Sequence, residues 1–175
     1  MKKLIIAAAM VCAAAFAQAA TVNWGISNVK ADGGGSPTAG WAVMAFYTEV
    51  GAGSGAIESA IAAGPAGSLA FEETTLTVQL SKGKVTGHDA TVAGITDTSK
   101  NYDFYFVVFN NSNPSAADKY VMQSALDLAY SSLDGKYIAA SNFTGAAWAE
   151  TIPEPTTGLL VLLGVAGLAL RRRRA

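Results

Sequence analysis

The longest apolar runs of this chain stand at its two ends, each with positive charge on its outer side. Leu4–Phe16 holds thirteen residues without a charge and follows Lys2 and Lys3. Gly158–Leu170 holds thirteen more and precedes Arg171, Arg172, Arg173 and Arg174. A segment that is apolar on every side has no polar face to leave in water, so it belongs in a membrane or a wholly buried core. With the basic residues placed outside, both runs read as segments handled by a membrane rather than packed into the fold. What must fold is the stretch between them, 20–151. It is long enough to bury a core without disulfide or metal staples.

The N-terminal run has the three parts of a secretory signal peptide over residues 1–19. Lys2 and Lys3 are the positive start, Leu4–Phe16 the apolar middle, and Ala17-Gln18-Ala19 the small-x-small cleavage pattern. Signal peptidase is the expected partner, recognising Ala17 and Ala19 and cutting after Ala19. The run is shorter than the ~20 residues a membrane-spanning helix needs. The chain's one cysteine, Cys12, lies inside this segment, and Ala9-Met10-Val11 before it is unlike a lipoprotein signal. The mature chain is therefore expected to have no disulfide, thiolate metal site or cysteine nucleophile.

At the other end, Ile152-Pro153-Glu154-Pro155-Thr156 leads into the second apolar run and the four arginines. The two prolines cannot continue a helix, which keeps Glu154 in an extended, reachable stretch. As a helix, Gly158–Leu170 would rise only about 20 Å. The arginines lengthen that span by snorkelling and hold their end in the cytoplasm. This order of Pro-Glu-Pro, short span and terminal basic cluster resembles the PEP-CTERM sorting tail of Gram-negative bacteria that make exopolysaccharide. The resemblance covers residues 152–175. It implies a recognition motif at Pro153, Glu154 and Pro155, a membrane helix over 157–170 and a topology-setting cluster at Arg171–Arg174. It also implies a processing partner, an exosortase, that cuts near the motif. The chain would then be exported, anchored transiently in the inner membrane, and passed to the cell surface or extracellular matrix.

The region 20–151 carries six lysines, no arginine and twelve carboxylates, a net charge of −6. Nucleic acid is an unsuitable partner, because phosphate contacts from Arg and Lys supply much of that affinity. Strand signals dominate. Ala20–Val29 places Val22, Trp24 and Ile26 on one face, and Trp41–Tyr47 is rich in aromatic and branched residues. Ala56–Ala63 reads as one short helix ended by Gly64-Pro65. Thr74–Leu80 alternates, with Leu76, Val78 and Leu80 on one side. Ser81–Lys84 reads as a turn, and Ala90–Ile95 as a further strand. Tyr102–Phe109 is continuously apolar, which predicts a central strand covered on both faces. Lys119–Ser124 pairs back with it as a hairpin, or Ser115 and Asp118 cap a helix running to Ala129; the strand is the preferred reading. Tyr137–Ala140 and Ala146–Ala149 are weak closing strands. The expected fold is mainly β, a β-sandwich-like antiparallel domain with one short helix, flanked by a signal peptide and a transmembrane sorting helix.

Chemistry is sparse in this region. His88 is the only histidine and has no cysteine or second histidine with which to build a zinc site. With Asp89 it reads as a polar turn pair, since no nucleophile-elbow motif accompanies it. Glu72 and Glu73 are adjacent, so a strand would point them to opposite faces, leaving a solvated edge. Asp97, Asn101, Asp103, Asn110, Asn111, Asn113 and Asp118 are oxygen donors without calcium-loop spacing, and read as turn residues. Trp24, Trp41 and Trp148 lie in strands and read first as core, second as sugar-stacking platforms. No catalytic residue, metal or cofactor is expected. The expectation is a non-enzymatic envelope or exopolysaccharide-matrix protein; the alternatives are a carbohydrate-binding module and, behind it, a secreted hydrolase acting through carboxylates.

Overall fold

The computed structural model describes residues 19–64, 69–80, 82–133 and 137–151. Ala17, the apolar run 4–16, the motif Pro153, Glu154 and Pro155, the expected helix 157–170 and Arg171–Arg174 lie outside the described residues. Among the described residues, no helix is long and apolar enough to cross a membrane.

Among the described residues the strands are β1 (Ala20–Val29), β2 (Ala42–Glu49), β3 (Ala70–Thr75), β4 (Thr77–Gln79), β5 (Lys82–Val92), β6 (Asn101–Phe109), β7 (Lys119–Ala129), β8 (Tyr137–Asn142) and β9 (Ala149–Glu150). One α-helix, α1 (Gly53–Ala63), follows β2. The strands form a four-stranded sheet in the order β4-β5-β1-β8 and a five-stranded sheet in the order β3-β2-β6-β7-β9. Their facing sides share one core. Val22, Trp24 and Ile26 of β1 and Val85 and Val92 of β5 meet Val43 and Ala45 of β2 and Phe104, Phe106 and Val108 of β6.

The continuous apolar character of β6 has a specific cause. This strand is the middle of the five-stranded sheet, and both of its faces are covered. Phe104, Phe106 and Val108 face the other sheet. Tyr105, Val107 and Phe109 face the opposite way, into a second cluster with Ile57 and Ile61 of α1. Those two isoleucines are four apart, one above the other on a helix. α1 thus forms a third layer, and β6 is its middle one.

β7 is a strand antiparallel to β6, as preferred, and longer than expected. The alternative capping box is replaced by a 3-10 turn at Pro114–Ala116, in which Asn113 Oδ1 accepts the Ser115 N–H at 3.0 Å. Ala146–Ala149 shrinks to the two residues of β9.

Three expectations are corrected. Thr74–Leu80 is not one strand. It breaks at Leu76, where the chain leaves the five-stranded sheet at β3 and enters the four-stranded sheet at β4. Leu76 fills that corner with 1% exposure, while its N–H bonds Trp41 O at 2.6 Å. Leu80, although in phase with it, is 99% exposed at φ 42°, because it sits in the hairpin between β4 and β5. Second, Lys82–Lys84 is strand rather than turn, so β5 begins eight residues before the expected Ala90. Its polar and glycine-rich middle hides the period, and Gly87, at φ 65°, accompanies a register shift against β1. Third, the sheets are not wholly antiparallel, since β8 runs parallel to β1. β8 arrives from β7 in the other sheet, so no hairpin dictates its direction.

Gly83 of β5 stands at a close approach to its neighbours. A Cβ there would lie 2.7 Å from Pro37 Cγ, 3.1 Å from Val29 Cβ and 3.2 Å from the Leu76 side chain. Gly83→Ala is expected to destabilise the domain by about 1–3 kcal/mol through overpacking. The measurement is the urea midpoint, which should fall with an unchanged m value. No fall would show that the loop carrying Pro37 lifts freely.

Candidate functional site: where the domain meets its tail

Four groups of residues were candidates for chemistry. The first gathers around His88, which lies in β5 opposite Trp24 rather than in a turn. Glu72 of β3 turns inward, with 17% of its side chain exposed, and Glu73 faces solvent, so the solvated-edge reading holds for Glu73 alone. The Trp24 indole N–H donates to Glu72 Oε2, and His88 Nδ1 stands 3.5 Å from Glu72 Oε1. His88 Nε2 lies 3.4 Å from Thr74 Oγ1. The Trp24 ring sits between His88, at 5.7 Å, and Phe106, stacked at 5.2 Å. Thr74, His88 and Glu72 stand in the order hydroxyl, imidazole, carboxylate that hydrolytic relays use. Both contacts are longer than a good hydrogen bond. The firm link is the indole donation, which ties β1 in one sheet to β3 in the other. Sequence reasoning missed Thr74; its place two residues from Glu72, on the same strand face, was the available signal.

The second group is the tryptophans. Trp24 is fully buried. Trp41 and Trp148, distant in sequence, meet edge to face with ring centroids 5.4 Å apart, both half-buried against the core. Trp148 Nε1–H donates to Lys30 O at 3.1 Å.

The third group is the oxygen donors. Asp97 accepts Ser99 N–H at 2.9 Å and the Ser99 hydroxyl at 2.6 Å, which holds its pKa below the ordinary value. Asn101 donates to Asp127 at 2.6 Å, and Asp103 accepts the Asp127 N–H at 2.8 Å. Asn110 donates to Asp118, and Asn111 accepts Asn113 N–H at 2.9 Å. These oxygens are engaged in turns and strand ends, and among the described residues no group of three or more His, Cys, Asp or Glu is placed to hold a metal.

The fourth group is the end of the domain. β9 pairs with β7 through Lys119↔Glu150 and Tyr120↔Ala149. Thr151 follows, only 6% exposed. Its N–H bonds Asp118 O at 3.0 Å, and its hydroxyl donates to Ala117 O. Lys119 is itself tethered, its ammonium 2.6 Å from Asp32. The hydrogen bond and the opposite charge raise the Lys119 pKa and lower that of Asp32. Thr151 also lines a depression of about 180 Å³ with Ile61, Ala63 and Gly64 at the end of α1 and Pro114 and Ala117 beyond β6. The fold therefore continues to the residue before Ile152. Residues 151–174 match the PEP-CTERM protein-sorting motif. Neither a curated protein nor a solved structure matches the chain.

The PEP-CTERM match begins at Thr151, so the sorting segment and the folded domain share that residue. A PEP-CTERM tail implies export, processing by an exosortase-type enzyme, and a surface or extracellular destination. At the other end, β1 starts at Ala20, immediately after the expected signal-peptidase cut, and Ala19 precedes it in irregular structure. Ala20 is buried and its N–H faces Ile95 O at 3.3 Å.

Proposed function

We propose that this protein is a non-enzymatic component of the cell envelope or of the exopolysaccharide matrix outside it. In this reading residues 1–19 direct export, residues 152–175 anchor the chain transiently through 157–170, and the acidic β domain is what is delivered. The observation that carries the reading is the PEP-CTERM match at residues 151–174, which fixes a sorted destination. The absence of arginine from residues 20–151 and their single histidine favour a displayed module over a catalyst or a nucleic-acid binder.

Intact mass and fractionation of the protein from its native host test this. The expected form starts at Ala20, ends near Pro153–Thr156 and lies outside the inner membrane. A form that keeps Arg171–Arg174 in the inner membrane would make the tail a permanent anchor. Release of products from a glycan or peptide panel by the exported form would overturn the non-enzymatic reading.

A second reading has one observation in its favour. Trp41 and Trp148 come together at one place while remaining half-buried, and indole faces are suited to stacking on pyranose rings. A carbohydrate-binding role predicts glycan-array signal that is lost in Trp148→Ala, and silence on such arrays removes it.

A further inference from the structure

The depression beside Thr151 has a place in the sorting reaction. A chain of n residues spans at most ~3.6 Å × n, so Pro153 lies within ~7 Å of Thr151 and Glu154 within ~11 Å, whatever their conformation. Thr151 is pinned by two hydrogen bonds and is buried. A single α-helix with its side chains is already about 10–12 Å across. A protein element of that width closing around Pro153-Glu154-Pro155 therefore comes within reach of the domain surface surrounding Thr151.

That surface is suited to such a contact. Its floor is Ile61, Pro114 and Ala117, all buried, and its rim is Ala62, Ala63 and Ser115, all exposed and small. None of the described residues that line it is charged, although the domain carries twice as many carboxylates as lysines. An apolar element arriving there would strip water from no ion of these described residues, and stripping ions is the expensive part of forming an interface. The small rim side chains let a partner backbone come close.

We infer that the rim formed by Ala62, Ala63 and Ser115 is a docking surface for an apolar-faced element of the enzyme that reads Pro153-Glu154-Pro155. The inference rests on the sorting reading and adds to it: recognition is divided between the linear motif and the folded domain that presents it. The domain would thereby make its own folding a condition of efficient processing, because the rim is assembled from α1 and the 3-10 turn, which are distant in sequence.

The test follows the loss of the tail from the full chain by pulse-chase in the native host. Ala63→Glu and Ser115→Glu place a charge on the rim at exposed positions, where substitutions rarely disturb the fold. Together they are expected to slow processing roughly fivefold or more, the order of effect of disrupting an important interface position. Thr86→Glu, an exposed change on β5 in the other sheet, should leave the rate unchanged. An unchanged urea midpoint establishes that the rim variant is folded. A Gly-Gly-Ser-Gly-Gly-Ser spacer between Thr151 and Ile152 should also slow processing, and the rim substitutions should add nothing to it. Normal processing of the rim variant, or faster processing with the spacer, overturns the docking surface while leaving the sorting reading intact. Failure of the unmodified chain to lose its tail overturns both.

Discussion

Trp24→Ala is expected to lower the unfolding free energy by about 3–5 kcal/mol, the range for removing a large aromatic side chain from a packed core. The indole has 0% exposure and is shared by both sheets. It stacks on Phe106 of β6, covers one side of His88 on β5, and donates its N–H to Glu72 of β3. Total stabilities of single domains are roughly 5–15 kcal/mol, so this loss is about a fifth or more of the net stability. Trp24→Phe separates the two contributions. It keeps a ring against Phe106 but leaves an inward carboxylate without its donor, an effect of about 1–3 kcal/mol. Denaturant unfolding of the exported form measures both, and combining Trp24→Phe with Glu72→Gln gives the coupling between the two positions. A loss below about 1 kcal/mol for Trp24→Ala would mean that the sheets are not joined through this residue.

Replacing Pro153-Glu154-Pro155 with three alanines is expected to abolish tail removal in a host that has the sorting enzyme. Two effects act together. The carboxylate of Glu154, flanked by two fixed φ angles, is lost as a recognisable shape. Alanine also has the highest helix propensity and proline the lowest, so the substituted stretch no longer stops a helix started in the apolar run that follows. The domain should be unaffected, because Thr151, which is anchored to it ahead of the motif, is not changed. The expected result is a full-length chain retaining Arg171–Arg174, with the urea midpoint of the unmodified protein. Processing at the normal rate would remove the motif from the recognition event, and with it the proposed destination.

The ends and the middle of this chain were legible to different degrees, for physical reasons. The sorting tail could be read because its information is linear: a membrane and a processing enzyme respond to the order Pro-Glu-Pro, apolar run and arginines. The central strand β6 could be read because burial on both faces demands an apolar side chain at almost every position from Tyr102 to Phe109. Helix α1 was read over Ala56–Ala63 from the Gly64-Pro65 stop after it, and it starts three residues earlier, at Gly53.

The remaining features depend on partners far away in sequence. Whether Leu76 ends one strand or continues it is decided by the corner between the sheets, and Leu80 obeys the same alternation yet ends in solvent. β8 runs parallel to β1 because it crosses from the other sheet, a fact no local pattern encodes. His88 looked like a turn residue until β1 placed Trp24 opposite it and β3 brought Glu72 and Thr74 alongside. By itself, then, the sequence determined the address of the protein and the identity of its central strand, because each rests on neighbours along the chain. Only the tertiary structure decided the sheet order, the environment of His88 and the anchoring of Thr151 beside the sorting motif. Those depend on contacts between segments whose separation along the chain carries no signal of where they meet.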